Sequence, residues 1–323
     1  MHVLIFGGAG FVGLNIAQGL LERGHRVTVF DAAPLPSAAQ RAFASHGERL
    51  QVIKGDVTDA AAVATAVGSG CDAVVMGAAI TAGPERDASD PERILAVNLL
   101  AQVPILQAAR LSGVRRVINL SSAASYGASG QRFAVLEETT PCEPVSLYAI
   151  TKFTSERVAA RLSDLWKTDV ISVRLSAVFG PFERGGGVRD TPSPQALIAA
   201  CCVRNEAALL NEPGDKDWVY AVDVADAVCL LLEAEKPQQT LYNISNEATF
   251  TAEAWGRAFA TGRTGFTCRL AEPGETPTVP VFAPVRGRLS TTRLADEFGW
   301  RARFDCAASA EHFGRWFDQY GRD

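Results

Sequence analysis

The chain has 323 residues, of which 47% are hydrophobic and 21% charged, and its formal net charge is −5 at pH 7. This length suits one large α/β domain or a large domain with a smaller companion. The acidic balance argues against nucleic acid or an anionic membrane as a partner. Seven cysteines without C-x-x-C spacing and four scattered histidines argue against a disulfide framework, a metal site and a Ser-His-Asp triad.

The N-terminus runs straight into the apolar stretch MHVLIFGGAG. It has no charged leader and no cleavage site, and we find no apolar run in the chain long enough to cross a bilayer. Together with the free cysteines, this predicts a protein of the reducing cytoplasm with no membrane partner.

Apolar strand patterns alternate with helical patterns through the first 175 residues. The predicted strands are 2–6, 26–31, 50–54, 72–78, 115–121 and 169–175, and the predicted helices are 11–24, 59–68, 91–112 and 146–168. Continuous apolar strands separated by helices predict a parallel sheet covered on both faces. Pro104 lies inside the third helix, where it removes a backbone hydrogen bond and should kink the helix. After Ser176 the alternation gives way to the Gly/Pro-rich stretch GPFERGGGVRDTPSP, so we place a boundary between 1–175 and a smaller lobe at 176–323.

The turn GGAGFVG follows the first strand and opens the first helix. Gly7, Gly10 and Gly13 stand where a tight turn, close approach to a pyrophosphate and close helix packing each require a missing side chain. The helix start, with Phe11 and Val12, then points backbone N–H groups at the phosphates. A glycine-rich turn that only packs is the alternative.

Asp31 ends the second strand, 18 residues beyond Gly13. A carboxylate there can accept hydrogen bonds from the adenosine ribose and repels a 2′-phosphate, and the next residues, AAP, include no arginine. NAD is therefore favoured over NADP. Asp56, followed by Val57, could contact the adenine edge, although a helix N-cap is an equal alternative for Asp56.

In SLYAITK, Tyr148 and Lys152 are four residues apart. On a helix the two side chains share one face about 6 Å apart along the axis. By itself this spacing is also typical of an ordinary surface helix.

Together GGAGFVG, Asp31, GDVTD, INLSSAASYG and SLYAITK resemble the extended short-chain dehydrogenase/reductase family, the NAD-dependent epimerase/dehydratase group. The resemblance continues through VRLSAVFGP and DWVYAVDVADAV to TTRLADEFGW. It implies an α/β fold with a Rossmann-type doubly wound parallel sheet that binds NAD and a smaller C-terminal α/β substrate-binding lobe, with about 218–245 returning to the sheet. It also implies a homodimer built on the helices near 91–112 and 146–168.

The resemblance assigns site residues as well. Tyr148 and Lys152 would form the catalytic Y-x-x-x-K pair, and both would also contact the cofactor, Lys152 at the nicotinamide ribose. The catalytic hydroxyl falls on Ser122, which leaves Ser121 as a hydroxyl that satisfies its loop. Asn98 matches an asparagine near the active site, with helix-face packing as the alternative. The remaining residues implied are Ala78 and Ala79 at the cofactor and Thr81 and Ala177 at the substrate.

The chemistry of hydride removal agrees with these roles. The hydroxyl proton must leave with the hydride, and a phenol with an ordinary pKa of about 10 is a poor base at neutral pH. The Lys152 ammonium, the oxidised nicotinamide and the helix N-terminus near Tyr148 would each favour the phenolate.

Departures from the family pattern bear on the reaction. Dehydratases place Asp-Glu after the catalytic hydroxyl, where this chain has Ala123 and Ala124. Nucleotide-sugar epimerases often carry asparagine at the position of Ala177 and arginine at the position of Lys216. Dehydration is therefore disfavoured, and a sugar linked to a diphosphate would lack two side-chain contacts that the family usually provides.

The loop FERGGGVRDT offers Arg184 and Arg189, whose guanidinium groups could bind a carboxylate or phosphate. Two solvated loop arginines are the alternative. We predict an NAD-dependent dehydrogenase that acts on a secondary hydroxyl of a small carbohydrate-like substrate, with an anionic group on that substrate where these arginines bind it. A sugar or nucleotide-sugar epimerase is the alternative, followed by a non-catalytic dinucleotide-sensing protein.

Overall fold

A seven-stranded parallel sheet forms the centre of the larger part of the protein. The computed structural model describes residues 1–184, 190–282 and 286–321. The strands are β1 (His2–Phe6), β2 (Arg26–Asp31), β3 (Leu50–Lys54), β4 (Ala73–Met76), β5 (Arg116–Ser122), β6 (Val135–Leu136), β7 (Val170–Leu175), β8 (Ala177–Phe179), β9 (Ala208–Leu210), β10 (Asp215–Lys216), β11 (Trp218–Tyr220), β12 (Leu241–Ile244), β13 (Phe250–Thr251), β14 (Cys268–Leu270) and β15 (Arg288–Leu289).

Helices connect these strands. The α-helices are α1 (Phe11–Glu22), α2 (Ser37–Phe43), α3 (Ala60–Gly68), α4 (Pro84–Ser89), α5 (Pro91–Leu95), α6 (Gln102–Leu111), α7 (Leu147–Trp166), α8 (Pro194–Val203), α9 (Ala221–Glu233), α10 (Ala252–Ala260), α11 (Thr292–Phe298) and α12 (Cys306–Tyr320). A π-helical turn spans Ala96–Leu100, and 3₁₀ helices span Ala44–Arg49, Ala123–Tyr126 and Ala128–Gln131.

The strand order of the large sheet is β12-β7-β5-β4-β1-β2-β3. The chain runs outward from β1 through β2 to β3 and then crosses to β4 on the other side, so the order reverses at β1. In open α/β sheets ligands bind outside the carboxyl ends of the strands at such a reversal. Gly7 follows β1 at this point and Gly77 follows β4, and Gly77 donates a backbone hydrogen bond of 2.9 Å to the carbonyl of Phe6.

Both faces of the sheet are covered, as the apolar strands predict. Val3 and Ile5 of β1 belong to an apolar cluster with residues of α1 and α9. Leu4 and Phe6 point to the opposite face and belong to a second cluster with residues of α3 and α6. Alternate residues of one strand thus reach opposite layers, which is the pleated geometry of a fully buried strand.

The smaller lobe has its own core of aromatic side chains. Trp255 and Phe259 of α10 stack with ring centroids 5.3 Å apart, and Phe313 and Phe317 of α12 pack against them. Two elements of the C-terminal half lie against the large sheet instead: α9 packs on α1, and β12 pairs in parallel with β7. The segment 218–245 therefore lies largely on the large sheet.

The helix predicted at 91–112 is irregular, but not at Pro104 itself. The π-helical turn Ala96–Leu100 precedes it, and Ala101 N donates 2.9 Å to Ala96 O, five residues back. Pro104 has no N–H to offer Leu100 and its ring crowds that carbonyl, so the distortion falls on the turn before the proline.

This segment also corrects an expectation about membrane-spanning length. In the part of the chain that the structure describes, Pro91–Leu111 is long and apolar enough to cross a membrane by length and composition, and 44% of its most apolar window is buried inside the protein. The prediction that no apolar run reaches that length is therefore wrong. The segment is apolar because it covers one face of the sheet, where Ile94, Ile105 and Leu106 lie in the second core cluster.

Candidate active site

The glycine-rich turn fits tightly between the ends of β1 and β4. Gly7 has φ +75°, and a Cβ there would lie 2.5 Å from the backbone nitrogen of Ala78. A Cβ at Gly13 would lie 2.4 Å from the carbonyl oxygen of Gly7. Gly10 is the N-cap of α1, and no side chain caps that end. Backbone N–H groups at the start of α1, near Phe11 and Val12, would therefore face an anion bound at this turn.

Asp31 lies beside this turn at the end of β2. Its Oδ2 accepts a hydrogen bond of 3.0 Å from Ala9 N, and its Oδ1 accepts one of 2.9 Å from Ala33 N. The carboxylate is thereby fixed next to the glycine-rich turn. This arrangement fits recognition of a ribose close to a pyrophosphate.

Asp56 is held by its own neighbours. Its Oδ1 accepts from Thr58 N at 2.9 Å, and Arg93 Nη2 lies 2.7 Å from its Oδ2. The backbone hydrogen bond from Thr58, aided by Arg93, lowers the pKa of Asp56 to about 2. The N-cap of α3 is Asp59, so the alternative of Asp56 as that cap is wrong. Val57 is buried in the second core cluster.

Asn98 is fully buried in the π-helical turn and fixes the loop after β4. Its Oδ1 accepts from Ile80 N at 2.7 Å, and its Nδ2 donates 3.0 Å to Ile80 O. These two bonds resemble a backbone pairing and hold the loop that carries Ala78 and Ala79. Asn98 Nδ2 also donates 3.3 Å to Thr151 Oγ1, so Asn98 joins that loop to α7.

Two adjacent serines at the end of β5 point in different directions. Ser122 lines a cavity, and its Oγ accepts a hydrogen bond of 3.1 Å from Ala124 N. Ser121 is 3% exposed, and its Oγ donates to Glu156 of α7. Consecutive strand residues face opposite sides of a sheet, so only one of the two can reach the cavity.

Tyr148 and Lys152 lie in the first two turns of α7. The helix begins after Ser146, whose Oγ accepts from Ala149 N at 3.2 Å, so the cap sets where both side chains point. Lys152 Nζ lies 5.9 Å from the centre of the Tyr148 ring and donates 2.8 Å to the carbonyl of Leu120. Burial lowers the pKa of Lys152 to about 8.

The cavity beside Ser122 has a volume of about 440 Å³. Its wall combines the end of β5, the start of α7, the end of β7 and two cations of the smaller lobe, Lys216 and Arg286. Arg286 Nη2 donates 2.7 Å to Ser176 Oγ and lies 2.8 Å from Asp217 Oδ1. These two contacts fix the position of the Arg286 side chain in the cavity wall.

Lys216 is the second cation of this wall. Burial, followed by the neighbouring charge of Arg286, lowers the pKa of Lys216 to about 8. Its Nζ lies 5.5 Å from the centre of the Trp218 ring. Arg286 is paired with Asp217, so Lys216 supplies the net positive charge of this wall, which favours an anionic ligand. Sequence reasoning missed Arg286, because its partner Asp217 is 69 residues away in the chain and no local motif marks it.

The other predicted substrate residues are spread over the region. Ala177 lines the same cavity as Ser122. Thr81 accepts a backbone hydrogen bond of 3.2 Å from Asp190 N. Arg184 is exposed and lines a different cavity, of about 380 Å³, beside Phe182. The structure therefore does not bring Arg184 to the cavity of Ser122, and Arg189 lies outside the described residues.

Comparisons with known proteins agree with this geometry. A family model described as the NAD dependent epimerase/dehydratase family matches residues 3–245. The UDP-glucose 4-epimerase of Mycolicibacterium smegmatis is 26% identical over 317 residues, 93% of each chain. The 3 beta-hydroxysteroid dehydrogenase/Delta 5→4-isomerase of Mycobacterium tuberculosis is 36% identical over 186 residues, 55% of this chain and 47% of that protein.

A solved structure gives the same relationship in three dimensions. The Bordetella bronchiseptica enzyme WbmG, crystallised in complex with NAD, is 25% identical and superposes with a TM-score of 0.76 over 100% of this chain and 95% of that one.

Proposed function

The chain belongs to the NAD-dependent epimerase/dehydratase family, and from this premise we propose that it removes a hydride from a secondary hydroxyl of a sugar or sugar-acid-like substrate, with Tyr148 as general base. The observation that carries the proposal is one cavity lined by Ser122, by Ala149 next to Tyr148 in α7, and by the cations Lys216 and Arg286. NAD is the cofactor, and when bound it accepts the hydride.

The glycine-rich turn and Asp31 would hold that cofactor. The uncapped start of α1 offers N–H groups to the pyrophosphate, and the Asp31 carboxylate, fixed by Ala9 and Ala33, would accept from the adenosine ribose. A 2′-phosphate on that ribose would meet the carboxylate as a like charge. The chain is therefore proposed to use NAD in preference to NADP.

Tyr148, Lys152 and Ser122 would share the proton chemistry. The phenolate of Tyr148 takes the hydroxyl proton, and the Lys152 ammonium stabilises the phenolate from its buried position one helical turn away. Ser122 would hydrogen-bond the substrate oxygen and hold it in line with the base.

Lys216 and Arg286 would bind an anionic group of the substrate. They lie in the wall that also contains Ser122, whereas Arg184 lines another cavity. This pair supplies the cationic contacts that the sequence placed on Arg184 and Arg189. A carboxylate or a phosphate would suit a planar guanidinium beside an ammonium.

We favour net dehydrogenation of the substrate as the overall reaction. Ala177 offers no amide in the cavity wall for the sugar of a nucleotide sugar. Ala123 and Ala124, which also lie in that wall, offer no acid or base for elimination. Two observations favour epimerisation as a second candidate. Similarity to a UDP-glucose 4-epimerase extends over 93% of the chain, and Lys216 with Arg286 could accept a diphosphate.

One panel assay separates the candidates. Purified protein is given NAD with neutral sugars, sugar acids and nucleotide sugars, and both NADH and new stereoisomers are measured. Accumulation of NADH with an acidic sugar supports dehydrogenation, whereas a new stereoisomer of a nucleotide sugar without NADH replaces it with epimerisation. Tight NAD binding without either product across the panel would favour the non-catalytic dinucleotide-sensing protein.

A further inference from the structure

A buried ion pair lies one helical turn beyond Lys152, and the chemistry proposed above does not use it. The side chains of Glu156 on α7 and Arg174 on β7 are 5% and 3% exposed. Arg174 Nη2 donates 2.6 Å to Glu156 Oε2, and its Nε lies 3.0 and 3.2 Å from the two carboxylate oxygens. A buried pair of this kind adds little stability compared with apolar residues of similar volume, so its presence calls for another role.

Glu156 also binds the strand that carries Ser122. Ser121 Oγ donates to Glu156 Oε1, and Ser121 directly precedes Ser122. One residue earlier, the carbonyl of Leu120 accepts the hydrogen bond from Lys152. Helix α7 is therefore joined to two successive residues of β5 immediately before the proposed catalytic serine.

Tyr148, Lys152 and Glu156 follow one another at intervals of four residues on α7. Side chains at this spacing share a helix face, with steps of about 6 Å along the axis. The carboxylate of Glu156 thus lies beyond Lys152, on the side away from Tyr148. In a water-poor interior, a charge at this separation acts more strongly than it would in solvent.

We propose that Glu156 is a positioning residue that keeps Lys152 in its charged form and fixes the end of β5, so that the ammonium is present when Tyr148 gives up its proton. The inference rests on the proposed roles of Tyr148 and Lys152. It assigns no contact between Glu156 and substrate or cofactor.

The charges around the pair agree with this assignment. Burial lowers the pKa of Lys152 to about 8, and the Glu156 carboxylate opposes that fall. Without the carboxylate, Lys152 would lose its proton at a lower pH, and the Tyr148 phenolate would then form without its cation. Besides Lys152, the ionisable groups near Glu156 and Arg174 are Tyr126 in the segment after β5, Cys142 and Glu138 in the segment before α7, and Arg157 on α7.

Replacement Glu156→Gln tests the proposal without a substrate. Glutamine keeps the volume and an oxygen for Ser121 and Arg174 but removes the charge. Phenolate absorbance is followed against pH, and the curve of the matching Tyr148→Phe protein is subtracted in each background so that only Tyr148 remains. Burial raises the pKa of Tyr126 to about 12 and also raises the pKa of Tyr220 and Tyr242, which keeps these groups clear of the measured range.

In Glu156→Gln we expect the midpoint of the Tyr148 signal to move upward by about 1 pH unit. This is the effect on the pKa of Tyr148 expected when Lys152 loses its positive charge next to the phenolate. Glu138→Gln is the matched control, because Glu138 is also a buried carboxylate near Arg174 but bonds Asn243 N and faces Arg293. It should leave the midpoint in place.

An unmoved midpoint in folded Glu156→Gln, or an equal movement in Glu138→Gln, overturns the proposal. If Glu156→Gln does not fold because Arg174 is left unpaired, the double replacement Glu156→Gln with Arg174→Met removes both charges. The midpoint of the double variant is then compared with that of Arg174→Met alone, so that the two proteins differ only in the charge of Glu156. An upward movement from Arg174→Met to the double variant supports the proposal, and an unmoved midpoint overturns it. The proposed function is tested separately, by the turnover of Tyr148→Phe in the parent background.

Discussion

The side-chain nitrogen of Lys152 donates a hydrogen bond of 2.8 Å to the carbonyl oxygen of Leu120. This bond ties α7 to β5 two residues before Ser122. Because α7 packs directly on β5, the spacing between the lysine and the serine is set by the core of the sheet domain. Groups held by packed elements need less reorganisation during a reaction than groups on loops.

Replacement Lys152→Met tests the central cation. The side chain keeps its length but loses its charge. Turnover should therefore fall by about 100-fold or more, the scale of acid–base catalysis. NAD binding should weaken as well, because the lysine is also expected to bind the nicotinamide ribose. Stopped-flow turnover and calorimetric NAD titration measure the two effects. Lys167→Met, on a side chain 82% exposed at the end of the same helix, is the control and should change neither. Parent-like turnover in Lys152→Met would remove the lysine from the mechanism.

Asp31 should determine the choice of dinucleotide. The unmodified protein is expected to bind NAD at least about 10-fold more tightly than NADP, because a 2′-phosphate would lie beside the carboxylate. Asp31→Asn keeps one of the two acceptor oxygens that bind Ala9 N and Ala33 N and removes the charge, so the difference between the NAD and NADP affinities should narrow. Fluorescence titrations with both dinucleotides measure it, with Asp59→Asn at the N-cap of α3 as the control. Equal or tighter NADP binding by the unmodified protein contradicts the assignment.

Binding of an anionic substrate should weaken at alkaline pH, because Lys216 loses its charge there. Burial lowers the pKa of Lys216 to about 8, so the ammonium is present below that pH and is lost as the pH rises through it. The Michaelis constant for an acidic substrate should therefore rise above pH 8, while that for a neutral analogue stays nearly constant.

Lys216→Arg provides the comparison for that pH profile. A guanidinium stays protonated through the alkaline range, so the rise in the Michaelis constant should disappear in this variant. If the parent and Lys216→Arg show the same pH profile with acidic substrates, Lys216 does not bind the anion.

A homodimer is expected from the family resemblance, through the segment Pro91–Leu111 and α7. Leu100 and Ile150 are 63% and 40% exposed on these two elements, which is a large apolar exposure for neighbouring helices. Leu100→Glu should place a charge in the proposed interface and shift the mass measured by light scattering from dimer to monomer. Val52→Glu, at an exposed position on the edge strand β3, is the control. A monomeric mass for the unmodified protein at micromolar concentration would contradict the dimer.

The parallel sheet was predictable because its signal is local. Strand β1 is observed at His2–Phe6, where the apolar pattern predicts it, and its five residues are all buried. Strand β3 is also observed at its predicted bounds, Leu50–Lys54, but it lies at the edge of the sheet with half-buried and exposed residues, so the expectation of a buried strand there is wrong. A strand buried on both faces must be apolar throughout, so neighbouring residues alone reveal it. The kink expected at Pro104 is displaced to Ala96–Leu100, because a proline acts on the carbonyl four residues earlier.

The substrate side was less predictable, because its contacts join distant parts of the chain. The sequence suggested Arg184 and Arg189 because they follow β7 in the chain, with solvated loop arginines as the alternative, yet Arg184 lines another cavity. Lys216 and Arg286 reach the cavity of Ser122 only after the smaller lobe folds against the sheet. Likewise, Glu156 and Arg174 look like ordinary helix and strand residues until α7 packs on β5 and β7.

The most direct measurement is NADH formation by Tyr148→Phe, at saturating NAD, with a substrate that the parent oxidises or epimerises. Phenylalanine keeps the ring and removes the proton acceptor, so hydride transfer in a single turnover should fall by about 100-fold or more while the affinity for NAD stays within about twofold. Hydride transfer at near the parent rate would contradict the account, because the proton of the substrate hydroxyl would then leave without Tyr148.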